Sequence, residues 1–221
     1  MIRGVIFDLD GTLIDSMSVW SDIDRKFLAE NGVEPPSSYD VTDVVRKMTI
    51  DQAARFFIDE FGIDLSPEQI ISRIGELVRI EYEENIPLKP GVKELLGLLE
   101  KLGIPCGIAT ATYKELAEAI LRRCGIYDRF CFLLTDADYP RGKSCPEIYL
   151  GASRLLGTSP EDTLVVEDSL HCITTAAGAG FVTAAVYDKA SSAESGEIRR
   201  KADHYAGSLY EIKDMIAAMR S

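Results

Sequence analysis

The chain has 221 residues, with 36 Asp and Glu against 24 Lys and Arg, giving a formal charge of −12. A chain this acidic is repelled by nucleic-acid phosphates and anionic lipid, so no nucleic-acid or membrane partner is expected. At 46% hydrophobic and 27% charged residues, it has the composition of an ordinary globular protein, long enough for one large domain or one domain carrying an insert.

In chain order, the apolar run Gly4-Val5-Ile6-Phe7 meets Asp8 before reaching leader-peptide length and reads as a buried first strand. No stretch approaches the roughly 18 consecutive apolar residues of a membrane span. Residues 16–85 then show helical periodicity without a strand run, through Trp20, Ile23, Phe27 and Leu28, then Ala53, Phe56, Phe57 and Phe61, then Ile70, Ile74, Leu77 and Ile80. Pro35-Pro36 and Ser66-Pro67 punctuate this block as inter-helix turns. Asp15 and Ser16 mark its hinge, with Ser16 a candidate N-cap, and Asp22, Asp24, Glu81, Glu83 and Glu84 read as solvated faces. After Pro87-Leu88-Lys89-Pro90-Gly91, the spacing of Val92, Leu95, Leu96, Leu98 and Leu99 predicts a helix against a sheet.

Three more apolar runs end abruptly in polar residues: Cys106–Ala109 before Thr110, Leu164–Val166 before Glu167-Asp168, and Phe181–Val186 before Tyr187. Continuous apolarity indicates strands buried on both faces, and the helical segments between them indicate crossovers. The predicted fold is α/β, a Rossmann-like parallel-sheet core of residues 1–15 and 86–221 with an inserted helical cap domain at 16–85. Five scattered cysteines without a CxxC (Cys106, Cys124, Cys131, Cys145 and Cys172) read as reduced thiols in a cytoplasmic protein.

Ligands of such sheets bind outside the carboxyl ends of the strands. Asp8, Asp10, Thr110, Glu167 and Asp168 are therefore expected to meet. Asp8-Leu9-Asp10-Gly11-Thr12 places two carboxylates two residues apart, with Gly11 allowing a tight turn. One of the pair can serve as nucleophile or metal ligand while the other moves a proton. Four carboxyl groups at one sheet edge repel unless a divalent cation sits among them, and oxygen ligands suit Mg²⁺. Lys143, just before a helix whose first turn begins at Pro146, can neutralise an anionic oxygen. The Thr110 hydroxyl and backbone N–H, at a strand–helix junction, suit a phosphate oxygen, although an N-cap role is the plainer reading.

The Asp8–Thr12 motif, Thr110, Lys143 ahead of Pro146-Glu147, and Glu167-Asp168-Ser169 resemble, in order and spacing, the four motifs of the haloacid dehalogenase-like (HAD) hydrolase superfamily. The helical insert resembles the branch that includes β-phosphoglucomutase and phosphoglycolate phosphatase, and the likeness covers essentially the whole chain. It implies an Mg²⁺-dependent phosphatase in which Asp8 attacks phosphorus to form an aspartyl-phosphate and Asp10 is general acid and base. It also implies that Asp8, the Asp10 carbonyl and Asp168 hold the metal, with Glu167 bound directly or through water. Thr110, the neighbouring Ala111 and Lys143 would hold phosphoryl oxygens. Ser144, Cys172 and Ala111 depart from the residues usual at their positions (Pro, Gly and a small polar residue), and none of the three removes a catalytic group.

From the cap, Trp20 and Lys47 are candidate substrate-binding residues, with Arg46 beside Lys47. Their plainer readings are a cap-core aromatic and a solvated charge pair. His171 and His204 read as structural. The expected partner is a small phosphorylated metabolite, and the expected assembly a monomer or weak homo-oligomer. A sugar phosphomutase is the alternative, although no histidine lies near the hinge and Thr12 replaces an apolar residue. Dehalogenase and phosphonate chemistry are disfavoured by Asp10. A non-catalytic phospho-acceptor domain is disfavoured by chain length and by the position of Asp8 after the first strand.

Overall fold

The computed structural model describes the backbone of residues 1–35, 41–45, 48 and 50–219, and their side chains except those of residues 18, 20, 21, 42, 43 and 50. These residues form two compact units, Met1–Asp15 with Pro87–Ser221, and Ser16–Ile86.

The first unit is built on six parallel strands: β1 (Gly4–Phe7), β2 (Cys106–Ala109), β3 (Leu133–Leu134), β4 (Thr163–Glu167), β5 (Val182–Val186) and β6 (His204–Ala206). Their order in the sheet is β3-β2-β1-β4-β5-β6, and each neighbouring pair is parallel. The α/β, Rossmann-like expectation holds. The strand order reverses between β1 and β4, and such a switch point opens a crevice at the carboxyl ends of the strands. β1, β2 and β4 are buried throughout, as their continuous apolar runs require. The edge strands β3 and β6 are too short, at two and three residues, to leave a legible run in the sequence. One core face joins Ile6, Ala109 and Val165 of the strands to Ile148, Tyr149 and Ala152, with Ala176 and Phe181.

The helices of this unit begin and end where local chemistry dictates. Helix α5 (Val92–Leu102) buries Val92, Leu95, Leu96 and Leu99 and stops at Gly103, whose φ of 63° is left-handed. Helix α7 (Glu147–Leu156) has Pro146 as its N-cap, so it begins one residue later than the first turn expected at Pro146, and it ends on left-handed Gly157.

The second unit contains α1 (Met17–Glu30), α2 (Val41–Val45), α3 (Ile50–Phe61) and α4 (Pro67–Ile80), which runs into a π-helical turn at Glu81–Asn85. Ser66 caps α4 in a full capping box with Gln69, while the Pro35-Pro36 turn falls partly outside the described residues. Phe27 and Phe57 meet edge-on, 5.2 Å between centroids, in a core with Ile23, Leu28, Ala54, Ile70 and Tyr82; such aromatic pairs add about 0.5–1.5 kcal/mol to their burial. Two expectations fail here. Asp24 and Glu81 are buried rather than solvated, and Glu81 pairs with Lys26, which holds its carboxyl below the usual range. Ser16 occupies the N-cap of α1 but makes no side-chain cap bond. Its hydroxyl is buried without a partner, so it does not satisfy the helix's first N–H groups.

Gly107 in β2 is required by close approach, since a Cβ there would lie 2.3 Å from the Phe132 ring. Gly107→Ala is therefore expected to destabilise the protein by about 1–3 kcal/mol in urea unfolding. The cost should shrink in a Phe132→Leu background, and equal costs in both backgrounds would show that the ring is not what excludes the side chain.

Candidate active site

Of the predicted site residues, Asp8, Thr110 and Asp168 each sit one step beyond a strand, while Asp10 and Lys143 lie farther along the following loops. The Asp8 N–H donates to Val166 O at 3.0 Å, extending the β1–β4 ladder by one residue. This places its side chain beside Glu167 at the end of β4. The chain then folds tightly: the N–H groups of Leu13 and Ile14 reach Leu9 O at 2.8 and 3.0 Å, and the Gly11 N–H reaches Ile14 O at 3.0 Å. Gly11 adopts φ 80°, and an added Cβ would lie 2.7 Å from Asp168 Oδ2. Only glycine meets both demands. The turn lets the Gly11 backbone come up against the third acid.

Asp8, Glu167 and Asp168 are all buried, and each offers a carboxylate oxygen within 4.8 Å of the others. Lys143, in a 3-10 turn at Gly142–Ser144, lies among them with its side chain 9% exposed. It donates to Asp8 Oδ1 and to Glu167 Oε1 at 2.7 Å. Tyr149 Oη on α7 donates to the same Oε1 at 3.1 Å. Glu167 Oε2, by contrast, is buried with no hydrogen-bond partner. A buried carboxylate oxygen without a donor is costly, and a cation coordinated there would satisfy it. The donor set is oxygen only, which fits Mg²⁺.

Three buried carboxylates and one ammonium leave excess negative charge. Burial, reinforced by Glu167, pushes the Asp168 carboxyl up to about 7. Burial also raises Asp8 well above the carboxylate range, with Lys143 opposing and the neighbouring acids adding to it. Burial alone would lower Lys143, but Asp8 and Glu167 outweigh it and hold the ammonium well above its ordinary value. Lysine therefore keeps its proton and, without a cation, the carboxyls share the surplus.

The remaining predicted residues divide. Asp10 is not one of the three clustered acids; its Oδ2 instead accepts from Thr112 Oγ1. Thr110 lies at the end of β2 as expected, but its backbone N–H is committed to Leu134 O at 3.0 Å, extending the β2–β3 ladder. That N–H is unavailable to a phosphate, and only the Thr110 hydroxyl, which accepts the Thr112 N–H at 3.1 Å, remains of the expected pair. Thr110 is not an N-cap either, since α6 (Lys114–Arg123) is capped by Tyr113. Ala111 is exposed in the intervening bend. The Trp20 side chain, Arg46 and Lys47 lie outside the described residues. Sequence reasoning missed Thr112, Tyr149 and Ser191, whose Oγ donates to Asp168 Oδ2 at 3.0 Å. Of these only Tyr149 carried a signal, an aromatic hydroxyl on a buried helix face that needs a partner.

A carboxyl titrating near 7 when folded and near its ordinary 3.8 when unfolded binds protons more tightly in the fold. Its contribution to stability is complete below about pH 4 and is lost as pH rises to about 7. Metal-free protein is expected to melt at lower temperature at pH 7.5 than at pH 5, with the fall reduced in Asp168→Asn. Identical pH slopes for the two proteins in calorimetry would contradict this charge account.

A family model for haloacid dehalogenase-like hydrolases matches residues 2–180. The N-acetylmuramic acid 6-phosphate phosphatase of Pseudomonas aeruginosa is 33% identical over 84% of this chain and 81% of its own. Hexitol phosphatase B of Escherichia coli is 28% identical over 77% of each chain. Among solved structures, one from Thermotoga maritima with a provisional β-phosphoglucomutase designation superposes with a TM-score of 0.84 at 25% identity, covering 98% of this chain and 99% of that one. The fold, the motif order and this match across most of the sequence agree: the chain belongs to the haloacid dehalogenase-like hydrolases, among relatives that are phosphatases.

Proposed function

We propose that the protein is an Mg²⁺-dependent phosphatase of a small phosphorylated metabolite, working through an aspartyl-phosphate on Asp8. The observation that carries this reading is the buried Asp8–Glu167–Asp168 set with Lys143, beside an Asp10 held by Thr112. The phosphatase names of relatives that align with most of the chain support it.

Asp8 supplies the nucleophilic oxygen, and Lys143, bonded to that carboxylate, aligns it and offsets the charge of the incoming phosphoryl group. The Thr110 hydroxyl and the backbone at Ala111 bind phosphoryl oxygens. Asp10 gives its proton to the leaving alkoxide as the bond to phosphorus breaks, then takes one from the water that attacks the aspartyl-phosphate. Thr112 keeps the Asp10 carboxylate aimed at that oxygen. Asp8, Asp168 and Glu167 would hold Mg²⁺, with the Asp10 carbonyl completing the set; bound there, the ion neutralises charge on the transferring phosphoryl group. The helical unit at 16–86 would serve as the cap that excludes water and selects the substrate, and Trp20 and Lys47 are its proposed contacts. The five free cysteines favour a cytoplasmic setting.

A sugar phosphomutase is the second reading, favoured by the fold likeness to proteins with that designation and opposed by the missing hinge histidine. A phosphatase releases inorganic phosphate from hexose and hexitol phosphates, whereas a mutase returns an isomer.

Asp8→Asn is expected to abolish phosphate release from an aryl phosphate in the presence of Mg²⁺. Thr112→Val, which removes a hydrogen bond to a charged group, is expected to lower kcat about 10-fold or more with little change in KM. Turnover unchanged in Asp8→Asn would overturn the reading.

A further inference from the structure

Lys89, in the turn that precedes α5, is unusually enclosed for a lysine. Its ammonium donates to three protein oxygens, Gly11 O, Tyr187 O at 3.1 Å and Asp188 Oδ2 at 2.7 Å. The two side chains of the ion pair are 12% and 5% exposed. Gly11 belongs to the loop after β1, while Tyr187 and Asp188 follow β5. Between those two strands in the sheet lies β4, and Asp168 is the residue just beyond it. Lys89 thus spans the position of Asp168, gripping the loops on either side.

The grip reaches Asp168 from both directions. On one side the Gly11 backbone abuts its carboxylate. On the other, Asp188 Oδ1 accepts the Ala190 N–H at 2.8 Å, fixing the turn that presents Ser191, and Ser191 Oγ donates to Asp168 Oδ2 at 3.0 Å. A closed ring runs through Lys89, Gly11, Asp168, Ser191, Ala190 and Asp188. A buried ion pair seldom adds stability over an apolar replacement, so what this one contributes is geometry.

We propose that Lys89, Asp188 and Ser191 are positioning residues that fix the orientation of the Asp168 carboxylate toward a divalent cation. They act through Asp168 rather than on the substrate. The proposal rests on the reading of Asp168 as a metal ligand. Hydrogen-bond partners of ligating carboxylates typically govern metal affinity by about 10–100-fold, and Ser191 occupies that place here.

The test uses Mn²⁺ alone, without substrate, counting free ion by electron paramagnetic resonance. Wild type should bind Mn²⁺ and Asp168→Asn should not. Ser191→Ala should bind about 10-fold more weakly, and Ser191→Thr, which keeps the hydroxyl, should recover affinity, a pattern that simple loss of packing would not give. Lys89→Met should weaken binding at least as much; if it fails to fold by circular dichroism, Asp188→Asn, similar in shape, takes its place and should also bind more weakly. Wild-type affinity in both Ser191→Ala and Asp188→Asn, with wild type binding normally, would overturn the proposal while leaving the metal reading intact. A wild type that binds no Mn²⁺ would overturn both.

Discussion

Three carboxylates buried around one ammonium are the constraint on which the rest of this protein depends. Lys143 reaches both Asp8 and Glu167, yet the cluster still holds more negative charge than it can neutralise. The cost appears in Asp168 and Asp8, whose carboxyls are driven upward in pKa, and in a Glu167 oxygen with no donor. A fold keeps such an arrangement when it serves chemistry. A divalent cation would relieve all three, and a phosphoryl group could then enter a site that the net charge of −12 would otherwise make hostile to anions.

The sheet makes this concentration of charge possible. β1 and β4 lie side by side at the point where strand order reverses, so Asp8 and Glu167-Asp168 leave the sheet together. The left-handed Gly11 turns the chain hard against Asp168, and β2 delivers Thr110 and Thr112 from the other side. Even the buried Lys89–Asp188 pair lies at this edge of the sheet rather than among the apolar residues of the core. Polar interactions between residues far apart in sequence converge on this one edge of the sheet, while the apolar strands supply the stability.

Much of this was legible in the sequence because the physics is local. Strands buried on both faces show as unbroken apolar runs, and the abrupt polar residue after each marks the edge where ligands bind; Asp8, Thr110 and Glu167 follow directly. Edge strands β3 and β6 bury too little to leave such a run. Thr112 looked like any loop threonine, because its importance lies in reaching Asp10, a contact across 102 residues of sequence. The same holds for Ser191 and Lys89, whose partners are set by which loops the sheet brings together. Thr110 shows the opposite failure: its N–H looked available only because the β2–β3 pairing that consumes it involves a strand of two residues. Asp24 and Glu81 looked solvated by type, and tertiary packing placed them inside.

The central claim is that Asp8 accepts the phosphoryl group. It is tested most directly by quenching turnover in acid, reducing the protein with labelled borohydride and mapping the modified peptide by mass spectrometry. The account predicts label at Asp8, absent from Asp8→Asn and from protein without substrate. Label at any other residue, or phosphate release with no trapped acyl phosphate at any quench time, would contradict it.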